Sequence, residues 1–253
     1  MNYARFRVDS QIFAGLVEDD TVTAIDGSFF EEFSPTENKY RLDEVSLLPP
    51  VRPSKVVCVA HNFKELITQI EEEFPEVPVF FLKPPSSLIG DKELIRYPES
   101  AVKVIYEGEL AVIIKKEMKR VRREDALDYV LGYCCFNDVT ERQVIEDSQL
   151  YLSLGKGFDT FGPIGPYIVS NCNPDNLEIK TFLNGEIVQN DNTKNFIFPV
   201  DFLLHYLSTI MTLYPGDVVT SGTPGGVAPI VPGDEVTVEI ESIGAITNLV
   251  HQE

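Results

Sequence analysis

Glu107 and Glu109 flank a glycine in Tyr106-Glu107-Gly108-Glu109-Leu110, inside an apolar run from Val102 to Ile114 that reads as a strand. Alternate residues of a strand share a face, so the two carboxylates are predicted to lie side by side. Such a pair is costly unless a proton or a cation sits between them. Asp138, in Phe136-Asn137-Asp138-Val139-Thr140, follows a second strand-like run and offers a third carboxylate. Three converging carboxylates make an all-oxygen site suited to a hard divalent ion such as Mg²⁺. Taken alone, Glu-x-Glu on a strand is ordinarily a solvated face, so its neighbours must decide.

The elements that would position these residues are mostly strands. Residues 1–50 alternate apolar and polar positions in short bursts, Tyr3–Val8, Ile12–Val17 and Val22–Ile25, with a turn at Asp26-Gly27. They read as a small antiparallel β domain. Leu48-Pro49-Pro50-Val51-Arg52-Pro53 is a stiff, extended boundary, and residues 51–253 form the second, larger domain. There, Lys55–Ala60, Val79–Leu82 and Leu131–Phe136 read as strands, and Phe63–Phe74 as an acidic helix or lid closed by Pro75. Asp201–Met211 carries Phe202, Leu203, Tyr206, Leu207, Ile210 and Met211 at helical spacing. The C-terminal part is β again, punctuated by Pro215-Gly216-Asp217 and Pro232-Gly233-Asp234. The fold class is therefore mostly β, of the α+β kind.

Composition removes several functions. With 40 acidic against 21 basic residues the net charge is −19, which argues against a nucleic-acid partner, since phosphates are bound by Lys and Arg. No apolar stretch approaches the length of a membrane span, so no membrane partner is expected. Cys58, Cys134, Cys135 and Cys172 show no metal or redox spacing. They read as reduced thiols of a cytoplasmic protein.

Six segments occur in a telling order: FFLKPPSSLIG (80–90), YEGELAVIIKK (106–116), LGYCCFNDVTER (131–142), GKGFDTFGPIGPYIV (155–169), YPGDVVTSGTPGGV (214–227) and PGDEVTVEIESIGAITNLV (232–250). Together they resemble the fumarylacetoacetate hydrolase family, from about Lys55 to the C-terminus. The resemblance implies a mixed β-roll catalytic domain, usually a homodimer, holding one Mg²⁺, Mn²⁺ or Ca²⁺ per chain on Glu107, Glu109 and Asp138. It implies a small 2-oxo acid or β-dicarbonyl substrate whose enolate the cation stabilises. It makes Lys156 a contact to substrate oxygens, Arg142 a clamp for the substrate's far end, and Lys83 a pocket residue. Each also has a plain reading: Lys156 as a turn lysine, Arg142 as a helix-surface arginine, Lys83 as part of a Pro-Pro turn. The loop Ser221-Gly222-Thr223-Pro224-Gly225-Gly226 is either a tight inter-strand connection or a cradle in which Gly222 and the Thr223 hydroxyl approach an oxyanion. His205 and His251 read as structural.

One part of the family pattern is missing. Hydrolytic relatives carry Gly-x-Asn-Tyr-x-x-His-x-x-Glu on a lid helix, whose His-Glu dyad activates water; here the segment reads Ala60-His61-Asn62-Phe63-Lys64-Glu65-Leu66-Ile67-Thr68-Gln69. Leu66 and Gln69 stand where the dyad would be, and Ile145 replaces a family Gln. His61 and Glu65 are nearby at different offsets. Three readings follow: a cation-dependent decarboxylase, isomerase or tautomerase; a C–C hydrolase with a non-standard base; or a metal-binding homodimer without turnover.

Overall fold

A computed structural model of the chain describes residues 1–71 and 73–253. Most of its regular structure is β, as expected. The larger of two main sheets has twelve strands, ten of them in the order Phe33–Arg41, Thr21–Gly27, Gln11–Glu18, Asn2–Val8, Gly162–Val169, Val130–Asn137, Gly108–Ile114, Val218–Thr220, Val56–Ala60 and Val79–Lys83. The second, five-stranded sheet runs Glu186–Asn192, Glu178–Leu183, Glu235–Ile240, Gly244–Gln252 and Ile95–Tyr97. Antiparallel pairs dominate, but Val218–Thr220 runs parallel to Val56–Ala60, which makes the large sheet mixed. The first 50 residues join it through Asn2 opposite Val169 and Tyr3 opposite Ile168. Their fourth strand, Phe33–Arg41, has no counterpart in the apolar pattern because FSPTENKYR is polar and mostly exposed; its pairing with Thr21–Gly27 holds it.

Gly108–Ile114 is buried on both faces, which fits its largely apolar sequence. The run Val102–Ile114, read as one strand, is split: Val104–Ile105 pairs instead with Thr140–Glu141, and Glu107 lies between the two strands. Leu110, Val112 and Ile114 pack toward Ile179, Val238 and Ile246 of the second sheet, and toward Leu204 and Leu207. Ala111 and Ile113 face the other way, against Val56, Phe136, Ile164 and the N-terminal Tyr3 and Ile25. The long helix spans Val200–Ile210 and buries Val200, Leu203, Leu204, Leu207 and Ser208. Its face is rotated from the predicted stripe: Ile210 is exposed, and Phe202 stacks on Phe198 and Tyr206 along the flank. The lid helix is much shorter than predicted, Lys64–Gln69; the predicted span includes Glu72, which lies outside the described residues.

Asp217 ties the Pro-rich boundary to the large sheet. Its fully buried carboxylate accepts from the Ser54 N–H (2.9 Å), the Ser54 hydroxyl (2.7 Å), the Lys55 N–H (3.2 Å) and the Tyr214 N–H (2.8 Å), and pairs with the Lys55 ammonium. This fixes the start of Val56–Ala60, whose far end enters the site described below. Asp217→Ala strands those donors, and removing one partner of a buried ion pair costs about 3–5 kcal/mol. Urea unfolding is expected to show a loss of that order; a loss below about 1 kcal/mol, the value of an exposed pair, would contradict the anchoring role.

Candidate active site

The strand pairing assembles the carboxylates. Gly108 lies opposite Asn137 and Glu109 opposite Phe136, so the chain leaving Val130–Asn137 brings Asp138 beside Glu107. Two bonds hold the junction: the Asp138 N–H donates to the Glu107 carbonyl (2.8 Å), and the Glu107 N–H to Asn137 Oδ1 (3.0 Å). One carboxylate oxygen each from Glu107, Glu109 and Asp138 lie within 4.8 Å of one another, and Glu109 and Asp138 are buried.

Two buried lysines meet this cluster. Lys156 Nζ donates to Glu107 Oε2 (2.6 Å) and Asp138 Oδ2 (2.7 Å), and lies 4.9 Å from the centre of the Phe81 ring. Lys83 Nζ donates to Asp138 Oδ1 (2.6 Å) and the Val139 carbonyl (2.9 Å). Glu109 instead accepts from the Gly222 N–H (3.0 Å). Burial, followed by the neighbouring Asp138 and Glu107 carboxylates, pushes the Glu109 carboxyl well above the usual carboxylate range. Burial also raises Glu107, against the pull of Lys156 and with the push of Asp138. Burial is the largest influence on Asp138 too, yet Lys156 and Lys83 together hold that carboxyl below its ordinary value. Burial alone would lower Lys156, but Asp138 and Glu107 raise it and keep it an ammonium.

This donor set fits a hard divalent cation. It is oxygen-only and compact, and its three potential charges exceed the two that the lysines bring. Glu109 is the group from which such an ion would displace a proton.

The cluster forms the floor of a cavity of about 440 Å³. Lys156, Arg142 and Thr223 reach its wall. Lys83 sits behind the wall, 1% exposed, bonded to the lining residue Asp138. Gly222 also lies behind it: its φ is +88°, and a Cβ there would stand 3.0 Å from the Asn62 Cβ, so glycine is required where this N–H reaches Glu109. Leu66 and Ile145 form part of the apolar wall, with Ile70, Val79, Phe81 and Leu152. Gln69 is off the wall, bonded to Glu65 (3.3 Å). His61 lines the cavity from a left-handed backbone position, φ +56°.

Several positioning residues were not legible from their own segments. Buried Gln189 accepts from the Gly108 N–H (3.1 Å) and the Thr181 hydroxyl (2.7 Å), and donates to Thr223 Oγ1 (2.9 Å) and the Pro224 carbonyl (2.9 Å). It thus pins the Gly-rich loop to the carboxylate strand. Asn62 donates to the Ser221 carbonyl (2.8 Å) and accepts from the Phe198 N–H (2.8 Å). Both act on partners far away in sequence. Arg142, which the family resemblance marked, lines the outer wall, whereas Lys103 beside it carried no signal beyond ordinary surface charge.

The raised Glu109 carboxyl makes a testable statement about stability. A group whose folded pKa lies above its unfolded value binds more protons in the native state, so stability falls as pH rises from about 4 through the raised value. In chelator-treated protein, Glu109→Gln is expected to unfold at higher urea than wild type at pH 7 and to match it at pH 4. A variant less stable than wild type at pH 7 would contradict this electrostatic account.

Comparison with known proteins agrees with the geometry. Residues 55–251 match the family model described as fumarylacetoacetate (FAA) hydrolase C-terminal, and residues 1–50 the one described as Rv2993c-like, N-terminal. The chain is 39% identical over 217 residues to the mitochondrial oxaloacetate tautomerase of Xenopus laevis, covering 81% of this chain and 68% of that one. It superposes on the 2-hydroxyhepta-2,4-diene-1,7-dioate isomerase of Mycobacterium marinum with a TM-score of 0.93 and 36% identity, over 100% of this chain and 99% of that one. The maleylpyruvate hydrolase of Sphingobium sp. SYK-6, solved in complex with manganese(II) and pyruvate, superposes with a TM-score of 0.82 and 28% identity over 100% and 99%. With the family model spanning most of the chain, this protein belongs to the fumarylacetoacetate hydrolase family of enzymes.

Proposed function

We propose that this enzyme is a divalent-cation-dependent tautomerase or decarboxylase of a small 2-oxo acid, with oxaloacetate as the simplest substrate. The observation that carries the reading is the cavity wall: the carboxylate triad and Lys156 form its floor, while Leu66, which cannot take a proton, lines it at the position where the family resemblance puts the dyad histidine. A divalent cation held by Glu107, Glu109 and Asp138, such as Mg²⁺ or Mn²⁺, supplies a Lewis acid that draws charge from the substrate's 2-oxo oxygen. Manganese and pyruvate in the related Sphingobium hydrolase support this placement, as does the similarity to an oxaloacetate tautomerase.

The chain's own groups do the rest. The Lys156 ammonium offsets the negative charge that develops on the 2-oxo oxygen as C3 loses a proton or carbon dioxide. Thr223 Oγ1 accepts from Gln189 (2.9 Å), which leaves its O–H to donate into the cavity. In decarboxylation the C3–C4 bond breaks, its electron pair remains on the enolate, and no base is required. In tautomerisation a base takes a proton from C3 and an acid returns one to the 2-oxo oxygen, a transfer for which solvent or the wall residue His61 is a carrier, and no nucleophilic water is activated. Arg142, on the outer wall, suits a distal carboxylate.

A second reading, C–C hydrolysis of an acylpyruvate, draws on His61 as the base, because its side chain lines the same cavity. Family membership sets aside a dimer without turnover. The homodimer implied by the family has a suitable face: the edge strand Val79–Lys83 exposes Val79 and Leu82, and Leu150, Tyr151 and Leu154 are exposed nearby. Four free cysteines, three of them buried, suit the reducing cytoplasm. None of the described helices is long and apolar enough to cross a membrane.

The test compares oxaloacetate with acetylpyruvate in the presence of Mg²⁺ or Mn²⁺. Enol–keto conversion or decarboxylation of oxaloacetate is expected, with acetylpyruvate hydrolysis slower by about 10² or more, the contribution of a positioned base. Lys156→Met is expected to lower oxaloacetate turnover by about 10²–10³, as loss of an oxyanion donor does, in protein shown to be folded by urea titration. Efficient acetylpyruvate hydrolysis that disappears in His61→Ala would install the second reading instead.

A further inference from the structure

At the outer end of the cavity three charged side chains form a cluster that the reaction above does not use as a unit. Lys103 Nζ lies 2.9 and 3.3 Å from the two oxygens of Glu146, and Arg142 Nε lies 3.3 Å from Glu146 Oε1. All three line the cavity and are partly exposed. One carboxylate therefore serves two cations, and the outer wall carries a net charge of +1 in a chain whose net charge is −19.

The backbone holds this arrangement. Val104 and Ile105 pair with Glu141 and Thr140, and the Arg142 N–H donates to the Lys103 carbonyl (2.7 Å). The buried Glu141 carboxylate accepts from the Val102 (2.9 Å), Lys103 (3.1 Å) and Gln143 (3.2 Å) N–H groups, fixing both the ladder and the start of the helix Arg142–Asp147. Each outer cation also sits four residues from a carboxylate of the triad, Lys103 from Glu107 and Arg142 from Asp138. Four extended residues span at most about 13 Å between Cα atoms, and both side chains line the same cavity as the triad. A molecule whose 2-oxo end lies at the triad, and whose chain runs along the apolar wall of Leu66, Ile145 and Leu152, would bring its far end to Lys103 and Arg142.

We infer that Lys103 and Glu146 set substrate specificity, selecting 2-oxo acids with a second carboxylate at the far end: that carboxylate takes the place of Glu146 between Lys103 and Arg142. Glu146 occupies the position between Lys103 and Arg142 and competes there with the ligand. A 2-oxo acid with an apolar tail leaves the Glu146 pairs intact and gains nothing from Lys103. The inference rests on the proposed placement of the 2-oxo end at the triad.

The test is calorimetric binding, in the presence of Mg²⁺, of 2-oxoglutarate and of 2-oxopentanoate, which have the same chain length and differ in the distal carboxylate. Wild type is expected to bind 2-oxoglutarate at least tenfold more tightly. Lys103→Met should weaken 2-oxoglutarate binding three- to tenfold and shift 2-oxopentanoate less than twofold. Glu146→Gln should tighten 2-oxoglutarate binding, and a rise in the Kd for 2-oxoglutarate in that variant would overturn its role as competitor. Equal affinity of the wild type for the two acids, or equal losses for both in Lys103→Met, would show the cluster to be a surface ion pair and overturn the inference alone. Binding of neither acid by wild type that turns over oxaloacetate would likewise overturn the inference, whereas failure to bind or turn over oxaloacetate would remove the proposed function on which it rests.

Discussion

The bonds from Lys156 to Glu107 and Asp138 are the interaction around which the site is organised. Three carboxylates packed at the ends of two adjacent strands repel one another in a medium that screens them poorly. Lys156 lies between two of them, and Lys83 secures Asp138 from behind. Both lysines are buried: Lys156 forms part of the cavity floor, and Lys83 stands behind it. The local fold serves this placement. A Cβ on Gly155 would lie 2.6 Å from the Glu141 carbonyl oxygen, so the segment carrying Lys156 can approach the ladder only without a side chain there.

That cluster explains features elsewhere that look unrelated. Gly108–Ile114 must be covered on both sides to keep Glu109 dry, which requires the second sheet on one face and the N-terminal strands on the other. Gln189, from the second sheet, links the carboxylate strand to Thr223. Tyr106 donates to the Gly226 carbonyl (2.8 Å) and holds the other end of the same loop. The Gly-rich loop is thus fixed by side chains from two directions, which is what a preorganised oxyanion site requires.

Much of this was legible in the amino-acid sequence, and the parts that were not share a cause. Glu107 and Glu109 were visible as a pair by strand spacing, which is local, but only Asp138 and the family resemblance set them apart from a solvated face. Lys156 between two glycines read as an exposed turn residue from local chemistry; only the family resemblance marked it, and its burial against two carboxylates depends on contacts 18 and 49 residues away. Lys83 was read as a wall residue and stands behind the wall, a distinction of depth that no sequence pattern encodes. Gln189, Asn62 and Lys103 were silent because their partners lie far away in sequence: Gly108 and Thr223 for Gln189, Ser221 and Phe198 for Asn62, Glu146 for Lys103. The strand Phe33–Arg41 was missed for the converse reason: it owes its pairing to a neighbour and buries little of its own.

The proposed function requires the three carboxylates to hold one divalent cation beside the two resident lysines, with a proton leaving Glu109 as it binds. Calorimetric titration of chelator-treated protein with Mn²⁺ at pH 7, repeated in buffers of different ionisation enthalpy, reads stoichiometry and proton release together. The account predicts one ion per chain, net proton release, and no binding in Asp138→Ala. Binding that survives in Asp138→Ala, or absence of binding to the wild type, would contradict it.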